Sequence, residues 1–544
     1  MKILKFFIFS LIIVLSLNSC GSDDETMVDA EEQQTTDDMD GDGDGDVTLP
    51  NLLLCTTIEN FTYEIVNGDL TMDWDDCNSS NGSNVSYNID IKAYYYNCDS
   101  GNYQYSNFLF EEFINSNYTL ENVGQVGRVK VNIRAVDANG NWSSSFQEII
   151  KIVPSNGIYE GNLAITTSEY FELLNDAEIH TVNGDLIITS SCPVGGNFQY
   201  GNIDSIIGLS GITTVTGNII FDGTRHSNLT SLEGLESLVN FDGDVTIENF
   251  TNLNDISAIS NITSLNNLTI NNLPNLSEII GFNNINESVG DINIQGSATI
   301  NILNNVTSAN DVEINTSEEI TAFTNVITLE NLNLGNTSAL NGFDLLESTN
   351  ILSLGNVNFS DPQSFSQLIS VDELLIYNIS NNTFDFLNNL EEINTSVVLV
   401  NNSNIQTLDF ESVSTTNPIN FTIQNNSNLQ SITGLNNITS LKSCTIQSNN
   451  SLISIDFLSS INTITESSLV INENNLLTNL DALSNLNYIE CPGQLIVTDN
   501  FNLGDLCGLQ TLFTNNGLCS FEATIENNGY NPTPLQISNG DCSL

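Results

Sequence analysis

The stretch Ile423–Ile455 reads IQNNSNLQSITGLNNITSLKSCTIQSNNSLISI, and its opening, IQNNSNLQSI, returns in altered form 23 residues later as IQSNNSLISI. An apolar-x-apolar triplet, a polar step that is often Asn and a looser apolar segment make up the unit. The triplets end at Ile188, Phe221, Ile247, Ile270, Ile294, Ile314, Leu334, Leu354, Ile376, Val400, Ile423, Ile446, Ile471 and Val497. These 14 endings span 309 residues in 13 steps, about 24 residues each. A fixed period of 20 to 30 residues predicts a solenoid, in which each turn buries its apolar side only against its neighbours. At about 4.8 Å per strand, thirteen steps give a rod on the order of 60 Å long. Cys444 stands at the first triplet position, where other turns place Leu268, Ile292 or Val312. Free cysteine packs as a small hydrophobe, so Cys444 is expected to be a buried, unpaired thiol.

Asn recurs two places after the triplet, at Asn249, Asn272, Asn336, Asn356, Asn378, Asn402 and Asn425. An amide offers a donor and an acceptor and tolerates left-handed backbone, so these residues are expected to hold turns and stack from coil to coil. The segment GLESLVNFDGDVTIENFTNLNDISAISNITSLNNLTINNLPNL, Gly234–Leu276, resembles the receptor L domain, a leucine-rich family. The likeness covers roughly Gly184 to Leu509 and implies a right-handed parallel β-helix over 156–499. The tail, CGLQTLF followed by IENNGYNPTPLQISNGDC, looks like the closing cap of bacterial surface proteins of this kind, over 500–544. That likeness implies a staple between Cys507 and Cys542, with Cys519 and Cys491 as competitors.

Ahead of the repeat, 51–155 alternates in short apolar runs: FTYEIVNG, LTMDWDD, VSYNIDIKAYYY, NYTLENV, VKVNIRAVDANGNWS and FQEIIKIV. Strands separated by turn signals every 8 to 15 residues predict a β-sandwich. The region resembles a fibronectin type III domain: Trp74 matches the core Trp of strand B, Tyr118–Leu120 strand E, and Val131–Gly140 strand F. The family's corner tyrosine has no counterpart near Arg128-Val129. Cys77 and Cys98 are candidates to pair across neighbouring strands, subject to geometry. The fold class expected is therefore all-β, a sandwich followed by a long solenoid.

The N-terminus reads MKILKFFIFSLIIVLSLNSCGSDDE, with two lysines before an apolar run that is shorter than the roughly 20 residues of a spanning helix. Over 1–19 this is the layout of a secretory signal. Leu17-Asn18-Ser19-Cys20 resembles the lipobox of bacterial lipoproteins, which implies diacylation of Cys20. Ser22-Asp23-Asp24-Glu25 resembles the signal that sends Bacteroidota lipoproteins to the outside of the outer membrane. The expected localisation is a lipid-anchored, surface-exposed site on the outer membrane. Residues 20–50 form an acidic tether that ends in alternating Asp and Gly from Asp40 to Asp46; counted from Asp40, position twelve is Asn51, not the Glu of a calcium loop.

Nine Lys and Arg face 67 Asp and Glu, for a net charge of −58. Such a surface repels phosphate backbones, so nucleic acid is excluded as a partner. Its dense carboxylates leave weak, nonspecific, multi-site Ca²⁺ or Mg²⁺ screening as an expectation, with no cofactor and no metal site. The cysteines contain no CxxC pair and no Cys/His cluster. Two histidines, His180 and His226, are present, and after residue 157 the basic residues are Arg225 and Lys442. HExxH, GxSxG and P-loop motifs are missing, as are the basic motifs of pectin-cleaving β-helix enzymes. Paired carboxylates from different turns are the remaining route to a polysaccharide-degrading enzyme. Binding is the expected function. The outward positions are polar at Thr246, Thr269, Asn293, Glu313, Asn333, Ser353, Thr422 and Thr445. Between them the face is expected to turn apolar at Leu375, Tyr377 and Leu399, extended by Ile351 and Val397, as a site for an extracellular protein or glycan. A structural envelope role without a ligand is the alternative.

Overall fold

Short apolar triplets punctuated by Asn and Gly can bury themselves only by stacking, and the chain does so in one long parallel ladder. The computed structural model describes residues 55–544 apart from 67, 81, 83, 98–101, 122, 155, 166–167, 169, 190–202, 227, 362 and 520–522. The first inward position of each triplet pairs with the next in the series Leu163, Leu186, Ile219, Val245, Leu268, Ile292, Val312, Leu332, Leu352, Leu374, Val397, Phe421, Cys444, Leu469, Leu495 and Ala523. All these pairings are parallel, so sixteen strands run side by side, over about 70 Å at the usual strand spacing. Two strands lie outside the expected series of fourteen. Leu163–Ile165 precedes it, and Ala523–Glu526 extends the ladder into the segment expected to be only a cap.

A second parallel sheet, of four strands, lies between Glu278 and Gly342 and faces its Ile300, Ile320 and Leu340 inward. The turn after each of these strands is held by a bulky residue with positive φ: Phe282 (58°), Leu303 (55°), Phe323 (56°) and Phe343 (61°). Left-handed backbone costs a non-glycine residue about 1–2 kcal/mol. Here the complete burial of each side chain offsets that cost, and Phe323, Phe343 and Phe365 stack at 5.4 and 5.7 Å between ring centroids.

Two asparagine rails run beside the main ladder. The exposed rail occupies the left-handed turn positions Asn249, Asn272, Asn336, Asn356, Asn378, Asn401 and Asn425. Within it the Asn272 amide donates to Asn249 Oδ1 at 2.9 Å, Asn356 to Asn336 at 2.8 Å and Asn425 to Asn401 at 3.0 Å. The second rail is buried and belongs to the later coils: Asn402, Asn426, Asn449, Asn474, Asn500 and Asn528. Each Oδ1 accepts the backbone N–H one coil earlier, as Asn449 does from Asn426 (3.0 Å) and Asn474 from Asn449 (3.1 Å). Each Nδ2 donates to a triplet carbonyl of that coil, such as Asn449 to Ile423 at 2.9 Å. An amide is the side chain that satisfies both an N–H and a C=O where the chain bends inside a dry interior.

Residues 62–152 form two antiparallel sheets on a separate core. One joins β1 (Thr62–Val66), β2 (Asp69–Asp73) and β5 (Asn117–Leu120); the other runs β4 (Asn102–Phe113), β3 (Val85–Asn97), β6 (Gly127–Asp137), β7 (Phe146–Ile152). Trp74 is buried there with Met72, Tyr87 and Ile89, and its ring meets Tyr87 edge-on at 5.5 Å. The expected Cys77–Cys98 pair does not form: Cys77 bonds to Cys55, with Cα atoms 5.6 Å apart. The segment before β1 folds back along the domain, where Asp75 N–H reaches Glu59 O and Ser144 N–H reaches Thr56 O, and this carries Cys55 to Cys77. Cys98 and Cys192 lie outside the described residues, as do Cys20 and the tether.

The domain meets the first coil directly. Gln125 and Glu160 exchange hydrogen bonds side chain to backbone, Arg128 lies 3.9 Å from Glu172, and Val126 and Val153 pack on the solenoid core.

Candidate functional site

Along the main ladder every second side chain points out, and two outward columns can be followed from coil to coil. The first runs Thr246, Thr269, Asn293, Glu313, Asn333, Ser353, Leu375, Val398, Thr422, Thr445. The second runs Gln295, Asn315, Gly335, Gly355, Tyr377, Val400, Gln424, Gln447. Polar residues thus give way to an apolar patch of Leu375, Tyr377, Val398 and Val400. Ile351 lies on the same outer side, one rung away beside Glu373. All five are partly exposed. Apolar residues return in the first column at Val470 and Ile496, without an aromatic neighbour.

The patch differs from the expected one in two members. Val397 and Leu399 are completely buried, in register with the core residues Leu374 and Ile376. Their neighbours Val398 and Val400 face out instead. The cause is one extra residue: Val371 pairs with Ile393, but Glu373 pairs with Ser396, so the strand Glu392–Val400 holds a bulge opposite Asp372. A one-residue slip exchanges the two faces of a strand. The same slip makes Asn401 the turn residue and puts Asn402, expected in the exposed rail, into the buried one.

Around Tyr377 the surface is stepped. Gly335 and Gly355 occupy the two preceding rungs of its column and carry no side chain, so a depression two rungs wide, on the order of 10 Å, lies between Asn315 and Tyr377. Asn333 and Ser353 flank it and make no side-chain hydrogen bonds within the described residues, whereas Asn315, Asn336 and Asn356 are tied to one another. Burial, and secondarily the Glu373 carboxylate, push the Tyr377 hydroxyl above its usual range, so the phenol stays neutral. The depression and its glycines were missed by a reading that scored apolar residues alone; the signal available was LxLG repeated at 332–335 and 352–355.

Both histidines are held by hydrogen bonds. His226 is fully buried, its Nδ1 accepting from Ile203 N–H (3.3 Å) and its Nε2 donating to Thr189 O (3.1 Å). His180 sits at the first coil beside Thr181 and Asn156. Cys444 is buried and unpaired, and burial pushes its thiol up to about 12. Cys507 pairs with Cys542 (Cα atoms 4.9 Å apart) and Cys491 with Cys519 (5.8 Å). Among the described residues no three His, Cys, Asp or Glu converge to hold a metal ion, and no helix is long and apolar enough to cross a membrane. No protein-family model matches the chain, and no curated protein matches it.

Proposed function

We propose that this chain is a lipid-anchored protein of the bacterial outer membrane that binds a protein or glycan on the outer face of its solenoid, without catalysis. The observation that carries this reading is the change of that face from polar to apolar at Leu375, Tyr377, Val398 and Val400, between polar rungs from Thr246 to Ser353 on one side and Thr422 and Thr445 on the other. A contiguous apolar patch with an aromatic, rimmed by polar residues, is the common form of an interaction site. The lipobox-like Leu17–Cys20 supplies the anchor and the acidic stretch behind it the tether. The two-sheet domain, read as fibronectin type III-like from its strand distribution and core Trp74, is the spacer. A purely structural envelope role is the second reading; the regular asparagine rails favour it, since they stiffen a rod whatever the rod binds.

Surface proteolysis of intact cells tests display. Cleavage of the wild-type chain by external protease, lost in Cys20→Ser, is the expected result. Protection of both forms until the envelope is broken would overturn surface display.

A further inference from the structure

Glycines in this solenoid generally sit where a side chain cannot. A Cβ on Gly508 would lie 1.7 Å from Leu480 O, on Gly342 2.1 Å from Ala322 O, and on Gly243 2.3 Å from Gly217 O. Gly296, Gly335 and Gly355 are different, and the last two follow one another in a single outward column. Both have ordinary extended backbone, and a Cβ there would meet nothing closer than Asn315 Cγ at 3.4 Å and Leu334 O at 4.0 Å respectively. Each is the last residue of its strand (Thr328–Gly335 and Ser348–Gly355), one step before the left-handed Asn336 and Asn356. Each lies on an inner rung of the ladder, where a β-branched residue would fit the pleated surface better. Neither conformation nor packing requires them. Such glycines leave the backbone open to close approach by a group from outside the chain.

What comes close is constrained by the walls. On one side stands Tyr377, an amphipathic ring with a neutral hydroxyl; on the other is the Asn315 amide. Along the edge Asn333 and Ser353 offer donors and acceptors that make no side-chain hydrogen bond among the described residues, unlike the asparagines bound into the rails. Glu313 stands in the first outward column, and Glu373 lies beside Ile351. The basic residues of the repeat are Arg225 and Lys442, and Lys442 is paired with Glu466 at 3.4 Å, three rungs beyond Tyr377. Anionic groups are therefore repelled from the depression.

Resting on the reading of the outer face as a binding site, we propose that the depression over Gly335 and Gly355 is a subsite for a neutral saccharide. A pyranose ring would lay its C–H face against Tyr377 and turn its hydroxyls toward Asn315, Asn333 and Ser353. A flat sugar needs backbone-level access, which the two glycines give. Its hydroxyls suit amide and hydroxyl partners that need no charge. A bulky polypeptide side chain would fill the apolar step at Leu375 and Val398 but has no use for the glycine floor.

The test uses the full chain, in detergent, against immobilised neutral oligosaccharides (fragments of β-glucan, mannan, xylan and chitin), with polygalacturonate as the anionic probe and gelatin as the polypeptide probe. Saturable binding to a neutral oligosaccharide is expected, weakened at least tenfold by Tyr377→Ala. The decisive variant is Gly355→Thr, which adds a strand-favouring side chain into open space. It is expected to keep or raise Tm and to weaken binding at least tenfold. Neutral-saccharide binding that survives both substitutions, or no such binding at all, overturns the proposal. Binding of gelatin that both substitutions abolish also overturns it, while leaving the outer face as a binding site intact. Gelatin binding indifferent to both would count against that wider reading too.

Discussion

Asn449 uses every valence of its amide inside the protein, and that economy explains why asparagine repeats at its position. Replacing it by alanine leaves the Asn426 N–H and the Ile423 carbonyl unpaired in a dry interior. At roughly 1–3 kcal/mol for each buried orphan, Asn449→Ala should cost about 2–6 kcal/mol. Native-state hydrogen exchange would show it as faster exchange of the Asn426 amide. Asn425, one residue away in the exposed rail with φ 59°, should tolerate glycine almost without loss, because its main task is a left-handed turn. Cys444 gives a pH signature. Its thiol is raised by burial to about 12, so the folded state holds a proton that the unfolded chain releases near pH 9. Stability from this group is thus complete below pH 9 and is lost as pH climbs toward 12. Urea midpoints measured from pH 8 to 11 should fall for the wild type and fall less for Cys444→Val, a residue that Val312 already places in the same column. Iodoacetamide should leave Cys444 unmodified in the native protein and label it after unfolding.

Strands and turns were legible to different degrees. The triplets and their 24-residue spacing revealed the ladder, because a parallel solenoid repeats its inward residues on every coil. The register failed at Val397–Val400, where four apolar residues in a row erase the alternation that tells inside from outside. A usable signal was present in the asparagines. LVNNSN at 399–404 aligns with IQNNSN at 423–428 and sets Leu399 against Ile423. The buried rail was hidden for a related reason, since adjacent asparagines in one turn read as a single polar step. The Cys77 partner was illegible because Cys55 arrives through an irregular segment that no periodicity describes. At the other end, Cys507–Cys542 matched expectation and closes a loop 35 residues long. Loop-closure entropy gives such a bond about 3–4 kcal/mol. Replacing both cysteines by serine should therefore loosen the last coil first, with exchange rising over 523–542 before it rises at Cys444.

At the scale of the whole molecule, charge dominates. A net charge of −58 strains the folded state through self-repulsion, and ion pairs such as Lys92–Asp90 (3.7 Å) are too few and too exposed to relieve it. Tm should rise with NaCl. Ca²⁺ at matched ionic strength should add little beyond that rise, whereas a large specific increment would reveal an ion site. The outer face carries the proposed binding site, and half of its apolar patch was legible in the sequence: Leu375 and Tyr377 from apolar residues at outward positions, Val398 and Val400 only through the bulge. The measurement that tests the central claim most directly is adhesion of intact cells to surfaces coated with neutral polysaccharide or gelatin. Wild-type cells would be compared with cells carrying Tyr377→Ala, Val398→Ser and Val400→Ser at equal surface abundance. The account predicts saturable adhesion by the wild type that the triple variant loses. Equal adhesion by both, or none by either, would contradict it.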